Sequence, residues 1–300
     1  LMRYLKMKKF SGAITAIVTP FLSTGEVDIE ALKRLVEFQI KSGISAIVPC
    51  GSTGEAATMD EEEKRLVIQT VVEVAKKRVP VIAGAGSNDT AKAIKSSQIA
   101  KEAGADALLH VTPFYNKPTA KGLVAHFKAI ADSVNLPIIL YNVPGRTGQN
   151  VTAEVTLKVA KEVPLVVGVK EASGNINQIM DIIKNAPKNF SVLSGDDGIT
   201  LPVMALGGDG VISVVSNEIP REMSALAEAA LEGNWEKARK LHYEWLDLMN
   251  INFIETNPQP VKTALAMMGK IKEAFRLPLV SMDEKNKEKL QTVLAAHKLI

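Results

Sequence analysis

Short apolar runs alternate along the chain with longer amphipathic stretches. The runs occupy residues 13–18, 46–50, 81–85, 107–111, 138–141, 166–169, 191–193 and 210–214. Most are apolar on both faces rather than on alternate residues, the pattern of strands covered on both sides in a parallel sheet. They recur roughly every 20–35 residues, the size of a strand-plus-helix unit. Eight such units predict an α/β protein.

The stretches between them carry helix signals. Thr58 with Glu61 reads as a capping box, residues 60–63 place acid in the first turn, and Lys76, Lys77 and Arg78 close the helix. Leu66, Val67, Thr70, Val71 and Val74 are spaced as one buried stripe, and the remaining charges of residues 61–78 read as a solvated face. Gly43 and Gly104 sit where helices should stop. From residue 221 onward the pattern is purely helical, over 221–232, 235–252, 261–268 and 284–298. Eight units with a helical appendix predict a (β/α)₈ TIM barrel with a C-terminal helical region. The barrel is assigned to residues 7–232 and the helical region, packed on it, to 233–300.

Composition narrows the classes. The 300 residues are 46% hydrophobic and 23% charged with a net charge of +3, which suits a globular chain and gives no nucleic-acid footprint. Lys6, Lys8 and Lys9 form a short basic cluster near the N-terminus. Cys50 is the single cysteine, so no intrachain disulfide can form and a reducing, cytoplasmic compartment is expected. The apolar runs fall far short of the roughly 20 residues of a membrane span, and no secretory signal pattern is evident.

In such a barrel the chemistry lies at the C-terminal ends of the strands. The second strand runs into Gly51-Ser52-Thr53-Gly54-Glu55, the fourth into Thr112-Pro113-Phe114-Tyr115-Asn116, and the fifth into Tyr141-Asn142-Val143-Pro144-Gly145-Arg146. The sixth delivers Lys170 after an apolar run. Partial burial lowers a lysine's pKa, and a neutral amine attacks carbonyls, although the same position also suits a lysine snorkelling to solvent. Tyr141, on the adjacent strand, could move protons for that amine or stand as a rim aromatic. The Ser52-Thr53 turn offers two hydroxyls and backbone N–H groups for a carboxylate, and lacks the Gly-Lys-Ser/Thr ending of a P-loop. Arg146, presented by a Pro-Gly turn, could pair with a second carboxylate or be solvated.

Other patterns carry less. Gly84-Ala85-Gly86 has Asp89 where a dinucleotide fingerprint needs glycine, and Gly207-Gly208-Asp209-Gly210 suits a tight turn. Asp196 and Asp197 are paired acids with no histidine near them in sequence. The four histidines show no metal spacing, and Cys50 reads as core.

Taken in order, these strand ends resemble the dihydrodipicolinate synthase family, within the pyruvate-dependent Schiff-base lyase and aldolase superfamily. The resemblance runs from Ala16-Ile17-Val18-Thr19-Pro20-Phe21 to Arg276-Leu277-Pro278-Leu279, nearly the whole chain. It implies that Lys170 forms a Schiff base with pyruvate, whose carboxylate rests on Ser52 and Thr53. The resulting enamine would attack L-aspartate 4-semialdehyde, held by Arg146, and ring closure would expel Lys170 to give 4-hydroxy-tetrahydrodipicolinate, a step of lysine and diaminopimelate biosynthesis. Tyr141, Ser52 and Tyr115 match the family's proton relay, with Tyr115 reaching in from a neighbouring subunit of a homotetramer. Gly195 and Ile212 match positions lining the pyruvate site. No metal or organic cofactor is implied. A Gly-Ser-Thr-Gly-Glu turn also suits N-acetylneuraminate lyases, so an aldolase of sialic or 2-keto-3-deoxy sugar acids is the alternative, and Arg146 separates the two.

The chain departs from the family at several points. Ser52 replaces a threonine, keeping the hydroxyl without the rotamer-restricting methyl. Lysine-inhibited members carry histidine, glutamate and tyrosine where this chain has Lys64, Lys92 and Phe114. Two lysines would repel a cationic effector. Weak or absent feedback inhibition is therefore expected; an activity assay showing inhibition at sub-millimolar lysine would refute it.

Overall fold

The computed structural model describes residues 9–300, so Lys6, Lys8 and the assigned start of the barrel at residue 7 lie outside the described residues. All eight apolar runs are strands: β1 Gly12–Ala16, β2 Ala46–Val48, β3 Ile82–Gly84, β4 Ala107–Val111, β5 Ile138–Asn142, β6 Val166–Glu171, β7 Ser191–Ser194 and β8 Gly210–Ser213. They pair in parallel in the order β2-β1-β8-β7-β6-β5-β4-β3, and a bridge between Ile47 and Val81 brings the two ends together into a barrel. Around it lie α1 Ile29–Lys41, α2 Glu61–Ala75, α3 Thr90–Glu102, α4 Ala120–Val134, the single turn α5 Pro144–Thr147, α6 Ala153–Glu162, α7 Ile176–Asn185, α8 Thr200–Ala205 and α9 Pro220–Leu231. Three helices follow, α10 Trp235–Ile251, α11 Gln259–Met267 and α12 Glu284–Ala296. Among the described residues no helix is long and apolar enough to cross a membrane.

Two local expectations about α2 are corrected. Its N-cap is Asp60, whose side chain accepts from Glu63 N while Glu63 returns a bond to Asp60 N. Thr58 instead ends a 3₁₀ turn, Ala56–Thr58, and donates its hydroxyl to the Glu55 carbonyl, two residues before the N-cap. The buried face is accordingly Val67, Ile68, Thr70, Val71 and Ala75, with Leu66 exposed and Val74 at the margin.

Each strand sends alternate side chains to two apolar layers. Ala13, Ile47, Ala83, Leu108, Leu140, Val169, Val192 and Val211 pack outward beneath the helices. Ile14, Val48, Ile82, Leu109, Ile139, Tyr141, Leu193 and Ile212 fill the interior. The β5–β6 pairing shifts between Ile138 and Ile139, so that Val166 pairs with Ile138 but Gly168 with Ile139. This bulge puts Lys170 in register with Tyr141 and, on its other side, with Leu193, both inward-facing residues. Lys170 therefore points into the barrel.

The C-terminal helices are tied to the turn after β2. Glu55 has φ +52 in the left-handed region, a conformation that costs a non-glycine residue free energy. It is held by Lys262 Nζ of α11 at 2.5 Å and by the Arg276 N–H at 3.3 Å. Lys262 is fully buried, with Nζ 4.3 Å from the Phe21 ring centroid, and the Arg276 guanidinium lies 4.4 Å from the same ring. Arg276 also grips both oxygens of Glu63 and donates to the carbonyls of Gly25 and Thr58. Removing one partner of a buried ion pair strands the other charge, whereas replacing both with apolar groups is often neutral. Lys262→Ala is thus expected to cost about 3–5 kcal/mol in urea denaturation, and Lys262→Met combined with Glu55→Leu to recover most of it.

Candidate active site

A cavity of about 780 Å³ opens at the C-terminal ends of the strands. Lys170, 5% exposed, forms part of its wall, with Nζ 4.2 Å from the Tyr141 ring centroid. Burial lowers the Lys170 pKa to about 8; the Asp197 carboxylate opposes that shift and the Arg146 cation adds to it. Burial pushes the Tyr141 phenol up to about 12 against the pull of Arg146, so it stays protonated at neutral pH. An amine with a reachable neutral form thus faces a phenol that keeps its proton.

The ends of β5 and β6 are braced from behind. Glu171, buried next to Lys170, accepts from Ser173 N at 2.6 Å, Asn142 Nδ2 at 2.9 Å and Gln178 Nε2 at 3.0 Å. Asn142 in turn accepts from Val151 N at 3.0 Å. With every carboxylate oxygen engaged, the backbones that carry Tyr141 and Lys170 are pinned together. Gly195 completes this wall by having no side chain: a Cβ there would stand 2.6 Å from Ala172 Cβ and 3.2 Å from Lys170 Cε.

The predicted carboxylate-binding groups share the same cavity. Ser52 lines it and is exposed, Thr53 lines it and is buried, and Arg146 reaches it from α5. Asn257 joins them, its Nδ2 donating to Thr53 Oγ1 at 2.9 Å and its carbonyl accepting from Arg146 Nη2 at 2.9 Å. Sequence reasoning assigned no role to Asn257, Lys262 or Gln178, because their partners lie up to 207 residues away or across a loop.

Two predicted site residues lie elsewhere. Ile212 is completely buried in the interior layer and does not line the cavity. Tyr115 is 91% exposed, has φ +67 and is absent from the cavity of its own chain, while its neighbour Phe114 lines the outer rim with Lys64. Lys92 is exposed on α3.

The weaker patterns have structural explanations. Gly84 packs so tightly that a Cβ would meet the Cys50 carbonyl oxygen at 2.0 Å. Cys50 is buried, its thiol pushed up to about 12 by burial. His110 bonds Ser97 Oγ at 3.0 Å and His126 bonds Thr90 Oγ1 at 2.9 Å, and burial lowers their pKa values to about 3 and about 4. Asp197 is turned inward, accepting from Val214 N and Val215 N at 2.9 Å each, whereas Asp196 faces the cavity. Among the described residues no group of three or more His, Cys, Asp or Glu side chains could hold a metal ion.

Known proteins share this arrangement of chain. The profile of the dihydrodipicolinate synthetase family matches residues 9–297. A 4-hydroxy-tetrahydrodipicolinate synthase of Maridesulfovibrio salexigens is 56% identical over 97% of this chain and 99% of its own. The crystal structure of dihydrodipicolinate synthase from Aquifex aeolicus superposes with a TM-score of 0.94 at 49% identity, covering 97% of this chain and 99% of that one. The Acinetobacter baumannii enzyme, solved with pyruvate, gives 0.95 at 44% identity, covering 97% and 100%.

The lowered Lys170 pKa sets a pH dependence. Below about 8 the amine is mostly protonated and cannot attack, so its reaction with a 2-oxo acid should quicken nearly tenfold per pH unit and level off above that value. Borohydride trapping of the adduct as a function of pH measures this; a plateau beginning only above pH 10 would mean that the amine keeps its ordinary basicity.

Proposed function

The chain belongs to the dihydrodipicolinate synthetase family, and on that premise we infer that it condenses pyruvate with L-aspartate 4-semialdehyde to form 4-hydroxy-tetrahydrodipicolinate. This is a lyase reaction of lysine and diaminopimelate biosynthesis. The sugar-acid aldolase alternative is not favoured, because the close relatives are synthases over nearly their full length.

The observation that supports roles for individual residues is the pairing of Lys170 with Tyr141 inside the cavity. In our reading, the free amine of Lys170 adds to the pyruvate C2 carbonyl, and the Tyr141 phenol gives a proton to the hydroxyl that leaves as water. The imine withdraws electrons from C3, which loses a proton to give an enamine. C3 then bonds to the aldehyde carbon of the second substrate, whose oxygen takes up a proton. That substrate's amine finally adds to C2 and releases Lys170. Ser52 and Thr53 take the pyruvate carboxylate, Arg146 takes the carboxylate of the semialdehyde, and Gly195 shapes the pyruvate site. No organic cofactor enters this scheme, because the lysine supplies the electron sink.

Tyr115 supports an oligomeric reading. A large aromatic residue that is 91% exposed and held in the left-handed region suits a side chain donated to a neighbouring subunit's relay, in at least a dimer and, by family, a homotetramer. A cytoplasmic setting fits the buried, unpaired thiol of Cys50.

The direct test mixes the protein with both substrates and follows product through a reductase-coupled loss of NADPH absorbance. Turnover is expected, together with a borohydride-trappable pyruvate adduct, and both should vanish in Lys170→Ala. An adduct without turnover would return the sugar-acid aldolase to first place.

A further inference from the structure

A circuit of side chains runs behind the Lys170 wall, outside the cavity. Gln178, buried in the first turn of α7, donates from Nε2 to Glu171 Oε2 at 3.0 Å and to the Val151 carbonyl at 3.1 Å. Its backbone N–H is fixed by the cap residue Asn175, and its side chain does not line the cavity. Asn150 Nδ2 donates to Gln178 Oε1 at 2.7 Å. Asn142 Nδ2 donates to Asn150 Oδ1 and to Glu171 Oε2, both at 2.9 Å. The circuit has a single direction. Glu171 accepts on both oxygens, which turns the amide nitrogens of Gln178 and Asn142 towards it. Gln178 is then left with its oxygen facing Asn150, and Asn150 with its oxygen facing Asn142.

Three parts of the site meet in this circuit. Asn142 adjoins Tyr141, Glu171 adjoins Lys170, and residues 150 and 151 end the loop that leaves α5, the turn carrying Arg146. Resting on the reaction inferred above, we propose that Gln178 is a positioning residue. From outside the barrel it sets the Lys170 amine against the Tyr141 phenol and anchors the loop of Arg146. Glu154, Lys158, Lys161 and Glu162 of α6 and Asp181 and Lys184 of α7 are exposed, and Glu171 is the acid that Gln178 meets. Exchanging its donor for an acid therefore sets two carboxyl groups against each other.

Borohydride trapping of saturating pyruvate on the full chain and its Gln178→Met and Gln178→Glu variants tests the proposal. Gln178→Met removes both amide functions from a side chain of similar shape. It is expected to slow trapping about ten- to a hundredfold at every pH, with the half-saturating pyruvate concentration within about twofold. Gln178→Glu supplies the donor to Glu171 and the acceptor for Asn150 only while the new carboxyl keeps its proton. Facing another carboxyl, it keeps that proton well above the ordinary carboxylate range and loses it in alkali. The ratio of its trapping rate to that of the unaltered chain should fall about tenfold between about pH 6 and about pH 10. A ratio constant across that range, or undiminished trapping in Gln178→Met, would overturn the proposal. So would losses confined to samples whose near-ultraviolet circular dichroism has collapsed, the mark of a merely structural role. An unaltered chain that traps no pyruvate at all would overturn the reaction itself and the proposal with it.

Discussion

The site depends on a single constraint: an amine must be kept inside an otherwise apolar barrel without a permanent charge. Desolvation makes the ammonium form expensive, and the register of β6 against β5 leaves Lys170 nowhere else to go. The bulge opposite Ile138 and Ile139 is the decisive detail. Were the pairing to continue from Ile138 and Val166 without the shift, Tyr141 would face Val169, and Lys170 would turn outward into the layer beneath the helices. The absent side chain at Gly195, the pinned carboxylate of Glu171 and the elevated phenol of Tyr141 then work on an amine whose direction is already determined.

A second set of contacts governs the groups that grip carboxylates. Thr53 and Arg146 come from the ends of different strands, and Asn257 bridges them with its side chain and its carbonyl. The left-handed Glu55, two residues after Thr53, is held by a buried lysine and by the backbone of Arg276. Electrostatics at the cavity mouth are thereby set from the C-terminal helices, while the covalent chemistry belongs to the strands.

How much of this could be read from the chain alone depended on the range of the interactions. The strands were legible because burial on both faces leaves an apolar run that no amphipathic helix imitates; Lys170 stood out because it directly follows such a run, Tyr141 because it ends one, and Arg146 because a Pro-Gly turn presents it. The start of α2 was misplaced since two overlapping patterns, Thr58 with Glu61 and Asp60 with Glu63, suit the same rule, and only the reciprocal bonds between Asp60 and Glu63 decide between them. Asn257 and Lys262 were given no role because the partners that define one, Thr53 and Glu55, are more than 200 residues away. The pair Asp196-Asp197 looked uniform in sequence, yet opposite backbone directions send one acid inward to cap the end of β8 and leave the other facing the cavity.

The Phe21 ring, with two cations from the C-terminal segment against it, bears on how the architecture can be re-engineered. Eight strand-and-helix units look like a self-contained scaffold that could be cut free and given new loops. Here the cut would unseat the turn after the second strand and take away the bridge between Thr53 and Arg146. The chain is a barrel in topology, but as a working part it has no seam after its ninth helix.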